Sequence, residues 1–111
     1  MLRRGVEIRK VVICTERVDM RKGIDGLVAL IRLRYNLNPL EKGTLFLFCG
    51  RKKDRLKAVL FEGDGFVLAY KRLSCGRYRW PKNAQEAREL TLEEYDRLME
   101  GFEIDSSIRA E

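Results

Sequence analysis

The chain has 111 residues, with 23 Lys or Arg against 17 Asp or Glu, a formal net charge of +6 and no histidine. A length of this order fits one domain, 1–111, with a modest core, and 45% apolar with 36% charged residues excludes a disordered tail. No apolar run approaches the ~18 residues needed to cross a bilayer, and the N-terminal MLRRGVEIRKVVIC lacks a signal-peptide core, so a cytoplasmic location with no membrane partner is expected.

Residues 6–14 are rich in β-branched side chains and predict a first strand. Met20, Ile24, Leu27, Val28, Ile31 and Tyr35 then recur at helical spacing, which predicts a helix over about 20–35 with Asp19 as its N-cap. Asn38-Pro39 places 36–43 in a loop. Residues 45–49 are apolar throughout, as a strand covered on both faces requires, and end at Gly50 and a turn over 51–54. Two further strands, 55–62 and 66–73, flank Gly63-Asp64-Gly65, which predicts a three-residue hairpin loop. A second such loop, 74–76, leads to a short strand at 77–80, stopped by Pro81. Thr91 followed by Glu94 is a capping box opening a terminal helix, with Leu92, Tyr95, Leu98, Met99 and Phe102 on one stripe. The expected fold is therefore α+β: an antiparallel meander of about four to five strands, one helix after the first strand and one at the C-terminus.

Charge divides this chain unevenly. Residues 1–81 hold 19 basic and 8 acidic side chains, net +11, and residues 82–111 hold 4 and 9, net −5. Within the basic body, residues 45–81 alone carry nine cations, Arg51, Lys52, Lys53, Arg55, Lys57, Lys71, Arg72, Arg77 and Arg79, against Asp54, Glu62 and Asp64. Cations this dense repel one another unless a polyanion relieves them, and nucleic acid is the common intracellular polyanion. The acidic end either folds back on that surface or faces another partner.

If both three-residue loops close tightly, Glu62 faces Phe66 and Leu73 faces Arg77. Lys57 then lies beside Lys71, Lys71 beside Arg79, and Arg55, Lys57, Lys71, Arg77 and Arg79 share one face. Like charges opposed across a ladder are destabilising, so a bound anion would explain the row; splayed, solvated stems are the plainer alternative. Tyr70, Tyr78 and Trp80 interleave with the cations and could stack on bases. The same register pairs Tyr70 with Trp80 on the apolar face, which favours core packing and, with it, duplex DNA gripped through phosphates over a stacked single strand. A second candidate is Arg21-Lys22-Gly23-Ile24-Asp25-Gly26, where two glycines near a helix start could admit a phosphate. Close helix-to-sheet packing explains those glycines equally simply.

Catalysis has little support. Without histidine the titratable groups are carboxylates, Lys, Cys and Tyr, and Asp25, Glu62 and Asp64 are the acids available to a metal nuclease. Turn chemistry already accounts for Asp64. Cys75 has only Arg77 nearby, which accepts no proton. Cys14, Cys49 and Cys75 are too few and too far apart for a zinc site, and Cys14 and Cys49 suit the core as reduced thiols. No metal or cofactor is expected.

Four segments, DMRKGIDGL (19–27), LFLFCGRKKDRLKAVLFEGDGFVLAYKRL (45–73), RYRWP (77–81) and the closing LTLEEYDRLMEGFEI, together resemble the accessory protein of the second open reading frame of insertion sequence 66 type transposable elements. That family is often called TnpB of this element type, distinct from the RNA-guided nuclease sharing the label. The resemblance implies a bacterial mobile-element protein that accompanies a separate transposase and supports efficient transposition. It supplies no catalytic residues, because the DDE chemistry is assigned to another protein of the element. Cys49 stands where the family's FRG step has arginine, which weakens a phosphate role there.

The expected function is thus a non-catalytic transposition accessory that binds DNA, largely without sequence preference, through Arg51, Lys52, Lys53, Arg55, Lys57, Lys71, Arg72, Arg77 and Arg79, with Arg21 and Lys22 as the second candidate. Its further partners would be the transposase and other proteins of the same element. The competing expectation is a protein-interaction module that docks on the transposase through the acidic terminal helix or a strand edge.

Overall fold

The computed structural model describes residues 7–82 and 86–101. Strands β1 (Lys10–Cys14), β2 (Thr44–Cys49), β3 (Arg55–Phe61), β4 (Phe66–Arg72) and β5 (Ala87–Leu90) form one sheet in the order β4-β3-β2-β1-β5. Helix α1 (Ile24–Ala29) continues into a π-helical stretch, Leu30–Arg34, and α2 covers Leu92–Met99. The α+β class is as expected, and β2, β3 and β4 make the antiparallel meander. β1, however, runs parallel to β2. A parallel pair needs a long crossover, and residues 15–43 with α1 supply it, so the sheet is mixed.

Each sheet face buries its own apolar set. On one, Leu27 and Ile31 of the helical segment pack on Val12, Cys14, Phe46, Phe48 and Val59. On the other, Leu98 of α2 joins Tyr78 and Trp80 against Val11, Ile13, Leu47, Cys49, Leu56 and Ala58. β2 is consequently covered on both sides, which is what its unbroken apolar sequence requires.

The fifth strand is not at 77–80. After β4 the chain must travel from one edge of the sheet to the other to reach β5, and residues 73–82 begin that crossing beneath the sheet. The Tyr78 N–H donates to the Lys53 carbonyl at 2.7 Å ahead of β3, and Trp80 Nε1 donates to the Cys14 carbonyl at 3.2 Å at the end of β1. Alternation in this segment was legible because Tyr78 and Trp80 point into the core while Arg77 and Arg79 point out. It crosses the sheet instead of extending it.

Helix boundaries differ in an instructive way. Asp19 does not cap a helix; its Oδ1 accepts the Arg21 N–H at 2.9 Å in a local turn, and the helix begins four residues later than expected behind Gly23. The terminal helix has its capping box: the Thr91 hydroxyl accepts from the Glu94 N–H at 3.0 Å, and the Thr91 N–H donates to the Glu94 carboxylate at 2.9 Å. Tyr95, Leu98 and Met99 face the core. Leu92 leaves the stripe, at 67% exposure, and Phe102 lies outside the described residues.

Candidate nucleic-acid interface

Arg51, Lys52, Lys53 and Asp54 form the four-residue loop joining β2 to β3, closed by the Gly50 N–H donating to the Arg55 carbonyl at 3.2 Å. Lys53 is in the left-handed region, φ +63, held by its N–H on the Gly50 carbonyl at 3.1 Å. Its carbonyl is taken by Tyr78, so the loop is anchored from below and projects Arg51 and Lys52 into solvent. Gly50 is required for packing: a Cβ there would lie 2.7 Å from Met20 Cγ. Val18 also bonds to this point, its N–H donating to the Cys49 carbonyl at 3.0 Å, which brings the 18–21 segment alongside the loop.

The loop divides two open clefts. One, of about 450 Å³, is lined by Arg51, Lys52, Asp54, Gly76 and Arg77. The second, of about 500 Å³, lies between the loop and residues 18–21 and includes Arg21 and Arg55. Five cations thus converge at one end of the sheet around two acids, Asp19 and Asp54. Asp19 is engaged by Arg21, which donates Nε at 3.1 Å and a terminal nitrogen at 2.7 Å; these bonds hold the Asp19 carboxyl well below the usual carboxylate range. Asp54 reaches Arg55 at only 3.9 Å. Arg55 and Arg72 are opposed across the β3–β4 ladder, an arrangement that costs roughly 0.2 to 1 kcal/mol where nothing relieves it. No ion pair to Arg72 is found among the described residues.

The expected sheet-face patch does not form, because the hairpin register is shifted by one residue. The Glu62 N–H donates to the Gly65 carbonyl at 2.8 Å, leaving Gly63 (φ +103) and Asp64 as a two-residue tip, and Phe61 pairs with Phe66. Lys57 therefore opposes Tyr70, and Lys71 opposes Leu56 on the other face. Since side chains alternate with a period of two, a slip of one separates every expected same-face pair.

Lys57 is the sharpest correction. Only 8% exposed, it donates Nζ to the carbonyls of Met20 at 2.7 Å and Lys22 at 2.8 Å, with the Tyr70 ring centroid 5.2 Å away. It ties β3 to the chain entering α1 and is out of reach of a phosphate. Lys71 is exposed on the α2 side of β4, apart from the loop cations. Arg79 bends to the end of α2, donating Nε to the Gly101 carbonyl at 3.0 Å. The Lys22 side chain is exposed; a Cβ at Gly26 would meet it at 3.4 Å, an ordinary contact, and one at Gly23 would meet nothing, so close helix-to-sheet packing does not account for these two glycines. Tyr70 does not meet Trp80; it is 51% exposed on the α1 side.

Of the expected contacts, then, Arg51, Lys52, Arg55, Arg77 and Arg21 come together, and Lys53 and Arg72 border them. Sequence reasoning missed Asp19 and Asp54 as members of the site. The signal for the first was Asp19-Met20-Arg21, a spacing at which an aspartate commonly bonds the backbone two residues on.

Burial pushes both core thiols, Cys14 and Cys49, up to about 12, so they remain protonated at neutral pH. Among the described residues no group of three or more Cys, Asp or Glu converges to hold a metal ion, and no helix is long and apolar enough to cross a membrane.

A family model described as IS66 Orf2 like protein matches residues 9–109. Two uncharacterized proteins of Sinorhizobium fredii are similar: y4jC, 31% identical over 85% of this chain and 80% of its own length, and y4hO, 36% identical over 93% and 88%. No solved structure matches.

Proposed function

We propose a function that proceeds from one premise: the chain belongs to the IS66 Orf2 like family. The protein is a non-catalytic accessory of DNA transposition that grips duplex phosphates at the loop end of its sheet and works beside the transposase and other proteins of its element. The observation carrying this reading is the convergence of Arg21, Arg51, Lys52, Arg55 and Arg77 on two open clefts with only Asp19 and Asp54 among them. A projecting loop whose cations fall on both its flanks suits two neighbouring phosphates, and it reads backbone charge without base edges. Sequence preference should accordingly be weak.

The test is fluorescence anisotropy on labelled duplex DNA across a salt series. Log affinity should fall linearly with log salt, with a slope of about −0.9 per phosphate contacted. Replacing Arg51 by Glu should cut retention sharply, whereas Lys42→Glu, the same single charge reversal at the far end of β2, should leave it nearly intact. A flat salt response, or equal losses from both variants, defeats the proposal.

A further inference from the structure

Tyr70 is free of the Trp80 contact that would have placed it in the core, and it stands half-exposed on the α1 face of β4. Directly across the β3–β4 ladder is Lys57, whose ammonium lies over the Tyr70 ring, 5.2 Å from its centroid. That ammonium is itself held by the Met20 and Lys22 carbonyls. One face of the ring therefore rests on a buried, doubly bonded cation, and its exposure falls on the other face and the edge. A ring positioned in this way has little conformational freedom left to lose when a flat partner settles on it.

The next pair along the ladder toward the loop is Arg55 with Arg72. Residues two apart on a strand share a face, so both arginines flank Tyr70 on the α1 side, with Arg72 about 7 Å from it along β4. Arg72 is exposed. Arg55 lines the cleft between the loop and residues 18–21, and its Nε is buried with no hydrogen-bond acceptor, Asp54 standing off at 3.9 Å. Guanidinium donors without a bonded acceptor beside an open aromatic face are the pair of features with which proteins hold an unpaired nucleotide, the cations taking its phosphate and the ring its base.

We infer that Tyr70 stacks on an unpaired base, so that the preferred ligand is duplex DNA carrying a single-stranded end. Inside a duplex each base is covered by its neighbours, and a ring on the protein surface cannot reach it. A nucleotide just beyond the last pair has its base free to turn onto Tyr70 while its phosphate stays within reach of Arg55 and Arg72. Stacking accepts every base, because each has a π face, so the weak sequence preference is kept. The inference rests on the phosphate grip proposed above and names the kind of DNA which that grip takes.

The test measures anisotropy of the full chain on three probes: a blunt duplex, the same duplex with a short overhang at its 3′ or its 5′ end, and that overhang made abasic, which keeps the phosphates and lacks the bases. At least one overhang should bind about fivefold or more tighter than the blunt duplex, and the abasic version should lose that advantage. Tyr70→Ala should bring the overhang down to the blunt level while blunt binding stays nearly unchanged, and Tyr70→Phe, which keeps the ring, should behave as the unmodified chain. An overhang without advantage, an abasic overhang that binds as well as the complete one, or a Tyr70→Ala loss of the same factor on both probes overturns the inference and leaves the ring as a cover for the Lys57 ammonium. Blunt-duplex binding that falls with salt and with Arg51→Glu would then still uphold the phosphate grip. Conversely, an overhang advantage that depends on Tyr70 while Arg51→Glu changes nothing upholds the stacking and defeats the grip, and binding to none of the probes defeats both.

Discussion

Lys57 and the loop at 51–54 come from one basic run of sequence, separated by only a few residues, and they do opposite things. Lys57 is buried and makes two charge-assisted bonds to backbone carbonyls, each worth about 1.5 to 3 kcal/mol when the donor is charged. Arg51 and Lys52 are exposed and take no part in holding the fold; an exposed ion pair at such a position would contribute about 0 to 1 kcal/mol. A cation whose bonding is fulfilled within the chain stabilises the fold, while one left facing solvent beside other cations is available to a polyanion. Counting charge along the sequence cannot separate the two cases.

The largest effect should come from removing what supports the loop from below. Trp80→Ala deletes a side chain that is 3% exposed and bonded to the Cys14 carbonyl, and should cost about 3 to 5 kcal/mol in chemical denaturation. Because the same segment carries Arg77 to its cleft, DNA retention should fall as well. Tyr70→Ala, which removes an equally aromatic but half-exposed ring, should cost far less. Equal losses from the two would mean that the crossing segment is not the anchor described here.

Lys57→Met ranks next and tests the comparison directly. It keeps the stem and removes both bonds, and because the ammonium's burial cost disappears with them, stability should drop by about 3 kcal/mol, the low end of their sum, while the DNA affinity of the folded fraction stays unchanged. The reverse result, weakened DNA binding at unaltered stability, would return Lys57 to the interface.

These assignments also mark what the sequence could and could not reveal. The Thr91 and Glu94 capping box was legible because both partners lie within one helical turn. β2 was legible as a strand covered twice because its whole length is apolar. The hairpin was legible as a hairpin, but Gly63-Asp64-Gly65 supports either a two- or a three-residue tip, and local composition does not choose between them. That single step decided whether Lys57 and Lys71 share a face. Nor could local pattern reveal that β1 joins β2 in parallel or that the chain after β4 passes beneath the sheet, since both are set by packing between segments far apart in sequence. The cluster at the sheet end depends on such packing: Arg21, Arg51 and Arg77 come from three segments brought together by Gly50, Val18 and Tyr78.

The smallest expected effect is a gain. Arg21 is the one cation of the cluster already bonded by a carboxylate in both Nε and terminal-nitrogen positions, and Asp19 there occupies the place a phosphate would take. Its carboxyl, held low by Arg21, stays ionised through neutral and mildly acidic pH, so the pairing opens only as pH falls through that depressed value in strong acid. If Arg21 contacts DNA as proposed, the ionised Asp19 should compete with phosphate for it near neutral pH. Asp19→Asn removes the competing charge while the amide oxygen can still accept the Arg21 backbone N–H and keep the turn. Duplex affinity should rise by a few fold at low salt, and the salt slope should steepen by up to about 0.9 as one more phosphate contact forms. If Arg21 instead serves only to close its own turn, Asp19→Asn will leave the slope where it was, and the cluster is confined to the four cations of the loop and its two flanks.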